Sequence, residues 1–280
     1  MYSIFMNRSL LKLFSILTGD ETPARAGGED LFGFTAETPD FRKYEQADLD
    51  FIAGFFSSGF NVTALEEPVR AFFELSVNAF GAFVHAWMSE LPIEAEIAGF
   101  GRRVIAAADE ASGGAEEKRM AAETAAADRG NADTLAVLTA AYKVEREIDR
   151  MRGLLRFSPD TQGVYIAGCT PDFLVLPALG EYFSERFGET AWAVIDEKRG
   201  LCLRRRAGER AKITLLEENF SGGRAVGRAF GGAFSDAKSG DEWEDLWRHY
   251  HKTINNESRK NPSLQRQFMP KRYWKYLPEM

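Results

Sequence analysis

The spacing of apolar residues changes near Leu155, and that change divides the chain. From Asp48 to about Phe100 they recur three or four apart: Leu49, Ile52, Phe55 and Phe56, then Val69, Phe72, Phe73, Val77, Phe80 and Val84. This period turns one face of each helix toward a core. Pro68 and Pro92 punctuate it. Asp133 is placed to cap a further helix reaching about Arg152, with Leu138, Ala141, Val144, Ile148, Met151 and Leu155 on one stripe. Beyond that the pattern is that of short strands. Leu155–Phe157 and Val164–Ala167 are expected to pair around Asp160 and Gly163. Thr170-Pro171 has the form of a helix start, and that helix should stop near Gly188. Ala191–Ile195, Leu201–Arg205 and Ala211–Leu215 then form a meander, with Gly200 and Gly208 at its turns.

The expected fold class is therefore α+β: an N-terminal helical bundle followed by an antiparallel-sheet module with flanking helices. Three regions follow. Residues 1–105 are mostly helical, residues 106–132 are an insert or linker, and residues 133–280 are the α+β domain. The middle region is set apart by ten alanines between Ala106 and Ala127, interrupted by Gly113-Gly114. Alanine permits helix but supplies little core. The first residues suggest a strand (Tyr2, Ile4, Met6) and a short helix, followed by a polar loop from Gly19 to Phe41 in which Leu31-Phe32-Gly33 is a candidate anchor. Met1–Ala26 loosely imitates a secretory leader, but Lys12 interrupts its apolar stretch. Two cysteines, Cys169 and Cys202, make no disulfide scaffold, so a reducing, cytoplasmic location is expected. No apolar run is long enough for a transmembrane helix, and no membrane partner is expected.

Charge is distributed unevenly. The 280 residues carry a net −7. Between Leu246 and Leu277, eight Lys and Arg residues face one acid, Glu257, which makes that segment +7 and the remainder −14. The Ser239-Gly240-Asp241-Glu242 run is a capping box that opens a helix with Trp243, Leu246, Trp247, Tyr250 and Ile254 on one face. Asn261-Pro262 and Pro270 start two further short helices. Tyr273, Trp274 and Tyr276 interleave with Lys271, Arg272 and Lys275. Cations meet phosphates and aromatic rings stack on bases, so the pattern suits a nucleic-acid strand. The same tail also suits packing on its own acidic remainder, with its aromatics as core. Arg146, Arg150, Arg152 and Arg156 form a second basic set, interleaved with Glu145, Glu147 and Asp149, where solvated ion pairs explain much of the pattern. Arg204-Arg205-Arg206 reads as an outward strand face or as edge protection.

Reaction chemistry is not legible. There is no nucleophile elbow, phosphate-binding loop or dinucleotide fingerprint. His249 and His251 stand about 200° apart on a helix, so they do not face one metal ion. His85 lies among Phe80, Phe83 and Trp87 and reads as a core histidine, and Cys169 as a buried thiol more than a nucleophile. No cofactor and no metal are expected, and whether the chain is an enzyme is left open.

The run Asn261-Pro262-Ser263-Leu264-Gln265-Arg266-Gln267-Phe268-Met269-Pro270-Lys271-Arg272-Tyr273-Trp274-Lys275-Tyr276-Leu277-Pro278-Glu279 closely resembles the C-terminal signature of a bacterial family of DNA-metabolism or DNA-repair proteins, a domain of unknown function. Arg150-Met151-Arg152-Gly153-Leu154-Leu155-Arg156-Phe157 is similar to that family's helix-to-strand run. Pro171-Asp172, Leu176-Pro177, Tyr182-Phe183, Arg186-Phe187, Trp192, Ile195-Asp196 and Arg199-Gly200 follow in the family's order. The likeness covers about Asp133 to Met280. The chain departs from the family in lacking its usual short opening and in carrying the alanine-rich stretch. The resemblance implies an accessory, DNA-binding role in repair beside a radical-SAM partner. One alternative is a protein adaptor in which the same basic patch, or the phenylalanine-rich N-terminal helices, docks that partner; through the family's gene neighbours and its fusions to uracil-DNA glycosylase-like domains, the resemblance also implies an enzyme on damaged DNA as another. No Cys-x-x-x-Cys-x-x-Cys set exists here, so the chain itself holds no radical-SAM cluster. The nucleic-acid-binding residues carried over are Arg150, Arg152, Arg156, Arg266, Lys271, Arg272, Tyr273, Trp274 and Lys275.

Overall fold

A computed structural model describes residues 9–15, 17, 44–67, 69–160, 163–216, 242–254 and 256–277. By compactness the chain divides into Met1–Gly54 with Gly59–Arg146, and Phe55–Ser58 with Glu147–Met280. The division falls inside a helix, beyond the expected boundary at residue 133. No helix among the described residues is long and apolar enough to cross a membrane. The expected first strand, the Leu31-Phe32-Gly33 anchor and residues 239–241 of the capping box lie outside the described residues.

The first unit is helical. It contains α1 (Leu10–Ser15), α2 (Gln46–Phe55), α3 (Val69–Leu75), α4 (Val77–Met88), α5 (Glu94–Glu110) and α6 (Ala115–Ala127). Of the residues picked out by helical spacing, Leu49, Ile52, Val69, Phe72, Phe80 and Val84 are buried in its core, whereas Phe73 is half-buried, Val77 is exposed, and Phe55 and Phe56 are half-buried and fall in the other unit. Phe14 stacks on Phe80 and Phe83 at 5.2 and 4.7 Å between ring centroids, and Phe72 packs edge-on against Phe83. Ser76 caps α4 by accepting the Ala79 N–H at 2.9 Å. The alanine-rich stretch, expected as an exposed helical insert or a mobile linker, is mostly helix as the first of these has it, but it is not wholly exposed. Gly113-Gly114 separates α5 from α6, and Ala108, Ala122, Ala125 and Ala126 are buried. Small side chains let helices approach closely, which periodicity with larger apolar residues does not reveal.

Helix α7 (Ala132–Leu154) follows. Its cap is Asn131, whose Oδ1 accepts the Thr134 N–H at 3.0 Å, and not the expected Asp133. The apolar stripe is as expected, with Val144, Ile148, Met151 and Leu155 buried.

Five strands build one sheet in the order β1-β2-β3-β4-β5: β1 (Ser158–Pro159), β2 (Tyr165–Cys169), β3 (Trp192–Asp196), β4 (Leu201–Arg205) and β5 (Lys212–Leu215). Together with its helices the chain is α+β, as expected. One pair departs from the antiparallel expectation: β2 and β3 run parallel, Tyr165 opposite Trp192 through Cys169 opposite Asp196. Between them the chain crosses over through α8 (Gly180–Phe187), and such a crossover returns the chain in the same direction. Thr170-Pro171 does not start that helix. It leads into a loop and a 3-10 turn at Leu176–Leu179. Every residue of β3 is buried, as befits a strand covered on both faces. Trp192 lies beside Phe183 and Phe187 of α8, while Ala193 and Ile195 pack with Cys202 on the other face. Gly200 and Gly208 hold φ of 62° and 74° at the meander turns, a region that penalises a Cβ. β4 lies between β3 and β5, so Arg204 and Arg205 are not on a sheet edge.

After residue 241 come α9 (Glu242–Ile254), α10 (Pro262–Phe268) and a 3-10 segment, Lys271–Tyr276. Asn261 caps α10 by accepting the Leu264 N–H at 3.0 Å.

Candidate functional site

The parallel strands β2 and β3 end side by side at Cys169 and Asp196, and four segments converge there. Asp196 closes the turn that follows β3. Its Oδ1 accepts the N–H groups of Lys198 and Arg199, and its Oδ2 lies 2.8 Å from the Arg199 guanidinium. Arg199 in turn donates to the carbonyls of Pro171 and Asp172 at 3.1 and 2.8 Å. That ties the β3–β4 turn to the loop leaving β2. Both members of the ion pair are buried, and burial pushes the Asp196 carboxyl up against the opposing pull of Arg199.

Glu147 of α7 is the second knot. It is fully buried, and its Oε1 accepts the Asp172 N–H at 3.0 Å and the Tyr273 hydroxyl. Arg150 reaches its Oε2 at 3.1 Å, and Arg272 lies 3.6 Å from Oε1. Burial pushes this carboxyl up. The donors Tyr273, Asp172 and Arg150, with the charge of Arg272, outweigh burial and hold it below its ordinary value.

The closing 3-10 segment straps across this region. Tyr273 is 2% exposed and packs under Arg272, whose guanidinium sits 4.6 Å from the ring centroid and pairs with Asp172. Lys275 lies 3.4 Å from Glu197, and the Tyr276 hydroxyl donates to the same carboxylate at 2.7 Å. Burial, with Glu197 opposing ionisation, pushes the Tyr276 phenol up to about 12 despite Lys275. Leu277 is buried beyond it.

These contacts reassign the residues expected at the nucleic-acid face. Tyr273 cannot stack on a base, because it lies inside the fold. Arg150 and Arg272 serve Glu147 and Asp172, and Lys275 serves Glu197. Arg152 pairs with Asp149 at 3.2 Å and lies over the Tyr182 ring, while Arg156 donates to the Gly153 carbonyl at 2.8 Å. Trp274 is half-buried, its indole N–H bonded to the Met269 carbonyl at 2.8 Å. Arg266 and Lys271 are exposed, Arg266 bonded to the Pro262 carbonyl and Lys271 5.9 Å from the Trp274 ring centroid. Lys252, Arg259 and Lys260 are exposed near them in sequence, as is Arg248, which pairs with Asp245 at 2.8 Å. The structure thus splits the basic tail. Residues 272–276 bind the body of their own unit, and residues 248–271 present cations to solvent.

The aromatic stripe of α9 is not core where its side chains are described. Leu246, Tyr250 and Ile254 are each more than half exposed, and Leu264 and Phe268 of α10 are exposed as well. Arg248 and Lys252 fall on the opposite face of α9 from that stripe, by helical spacing.

Glu147, Asp172, Asp196, Glu197 and Arg199 were missed as site residues. Glu147 did carry a signal: it lies three residues after Val144 and four before Met151, within the apolar seam of α7. A carboxylate there must find buried donors. Nothing in the sequence says that those donors come from residues 172 and 273.

The thiols are inert by environment. Cys169 donates to the Ile195 carbonyl, and burial with nearby Asp196 raises it well above the ordinary range. Burial pushes Cys202 up to about 12. Among the described residues no three His, Cys, Asp or Glu side chains come together in a way that could hold a metal ion.

A model of a domain of unknown function, DUF4130, matches residues 117–279. The chain belongs to that family. The DUF4130 match begins within α6 and takes in α7, the sheet and the closing segment, so it spans both knots around Glu147 and Asp196. No curated protein matches the chain, and no solved structure does.

Proposed function

We propose that this DUF4130 protein is a nucleic-acid-binding accessory in DNA metabolism or repair. The observation that carries the reading is the exposed run of Lys252, Arg259, Lys260, Arg266 and Lys271. The side chains of these five cations are exposed, in a chain whose remainder is acidic. A polyanion neutralises such a face and releases counterions as it binds. The family likeness supplies the setting, including a radical-SAM partner.

The test is fluorescence anisotropy with single-stranded and duplex oligonucleotides over a salt series. Five phosphate contacts give a log–log salt slope of roughly −3.5 on a single strand. Charge reversal at Arg266 and Lys271 should weaken binding alike at every sequence. No binding at low salt, or an affinity flat with salt, refutes the reading.

A protein-adaptor role is favoured by a different observation, the more than half-exposed Leu246, Tyr250 and Ile254 on one face of α9. Co-purification with the radical-SAM partner, lost on Tyr250→Asp and paired with no DNA affinity, supports that reading in place of the first.

A further inference from the structure

Arg272 and Lys275 are held by carboxylates that can spare them. Arg272 touches Asp172 and Glu147, yet Glu147 keeps the Tyr273 hydroxyl, the Asp172 N–H and Arg150 when Arg272 leaves. No buried charge is stranded, because Asp172 is close to half exposed and hydrates in place. Lys275 is likewise redundant: Glu197 keeps the Tyr276 hydroxyl at 2.7 Å and is open to water. Meanwhile Tyr273 and Leu277, both buried, fix the backbone that carries the two cations. The side chains can therefore swing outward without the strap unfolding. The Arg272–Asp172 and Lys275–Glu197 pairs are exposed and therefore weak, so another anion competes for them.

We propose that Asp172 and Glu197 act as internal stand-ins for phosphate, holding Arg272 and Lys275 until a polyanion displaces them and so setting how tightly the basic segment binds. This rests on the nucleic-acid reading and adds its regulation. Arg272 follows directly on the exposed Lys271 and Lys275 comes three residues later, so a strand docked on the exposed Arg266 and Lys271 brings further phosphates near the held pair. Displacing Lys275 exchanges its contact with Glu197 for a phosphate contact, and displacing Arg272 exchanges its contacts with Asp172 and Glu147. Only a ligand with several linked phosphates gains from making both exchanges.

The experiment compares wild type with Asp172→Asn, Glu197→Gln and the double variant by anisotropy on one single-stranded oligonucleotide. Glu67→Gln, at an exposed acid paired with Arg70 in the other unit, controls for net charge. Each single variant should bind about threefold tighter and the double variant up to about tenfold. The salt slope of the double variant should steepen by roughly 0.7 per cation freed. Arg272→Ala in the double variant should remove much of the gain. Thermal melts of each variant establish that it folds. Tightening by Glu67→Gln equal to that of the double variant overturns the proposal, as does a double variant whose affinity and salt slope equal those of a wild type that binds. Absence of binding by wild type and double variant alike overturns this proposal and the nucleic-acid reading together.

Discussion

Tyr273→Phe removes one hydroxyl from a buried carboxylate and leaves everything else in place. Glu147 is fully buried, so no water replaces the lost donor. Three partners remain: the Asp172 N–H at 3.0 Å, Arg150 at 3.1 Å and Arg272 at 3.6 Å. A hydrogen bond to a charged group contributes about 1.5–3 kcal/mol, and the surviving donors place the loss at the lower end, about 2 kcal/mol. In a unit of this size that lowers the melting temperature by roughly 4–8 °C. Tyr276→Phe deletes a chemically similar bond, a phenol on Glu197, but that carboxylate is open to solvent. Its loss should be about 0.5 kcal/mol. Acid sharpens the contrast. Glu147 is held below its ordinary value of 4.5, so its stabilisation is complete above that pH and fades as pH falls through the lower, folded-state value. Tyr273→Phe removes one of the causes that lower it. The gap between wild type and Tyr273→Phe should therefore be widest near neutrality and narrow below about pH 4. Urea unfolding followed by circular dichroism at pH 7 and pH 3.5 measures both effects. Equal losses for the two phenols, or a Tyr273→Phe loss unchanged in acid, refute the assignment of Glu147 as a buried, ionised anchor.

Three further outcomes follow from single environments. His85 is pushed down to about 4, chiefly by burial, so its ring resonances should not titrate between pH 8 and 5.5; because the folded ring resists protonation, its contribution to stability falls as pH drops from 6.5 toward 4. Neither Cys169 nor Cys202 should react with an aromatic disulfide reagent in the native protein, and both should react in urea; a native count above zero contradicts their burial. Gly200→Ala should destabilise by about 1–2 kcal/mol in urea unfolding, since φ is 62° in the β3–β4 turn, and an unchanged midpoint would mean the turn relaxes.

Local chemistry made much of the fold legible. The helical spacing of phenylalanines from Phe72 to Phe83 and the strand spacing from Trp192 to Leu215 are short-range signals, and the elements lie where those signals put them. Asn261-Pro262 and the glycines at 200 and 208 are likewise readable, because capping and positive φ are properties of a few consecutive residues. The parallel pairing of β2 with β3 was not readable, since it depends on which way a crossover of some twenty residues returns.

The cations divide along the same line. Their number and their crowding into residues 246–277 belong to the sequence alone, and so does the family likeness that residues 261–279 carry. Which of them face solvent does not. Arg272, Tyr273 and Lys275 meet Asp172, Glu147 and Glu197 across gaps of up to 126 residues, and Arg266 and Lys271 meet no such carboxylate in the described residues. Coulomb attraction and hydrogen bonding act over a few ångströms, so only the folding that carries the closing strap onto the ends of β2 and β3 decides which charges are taken up and which stay exposed.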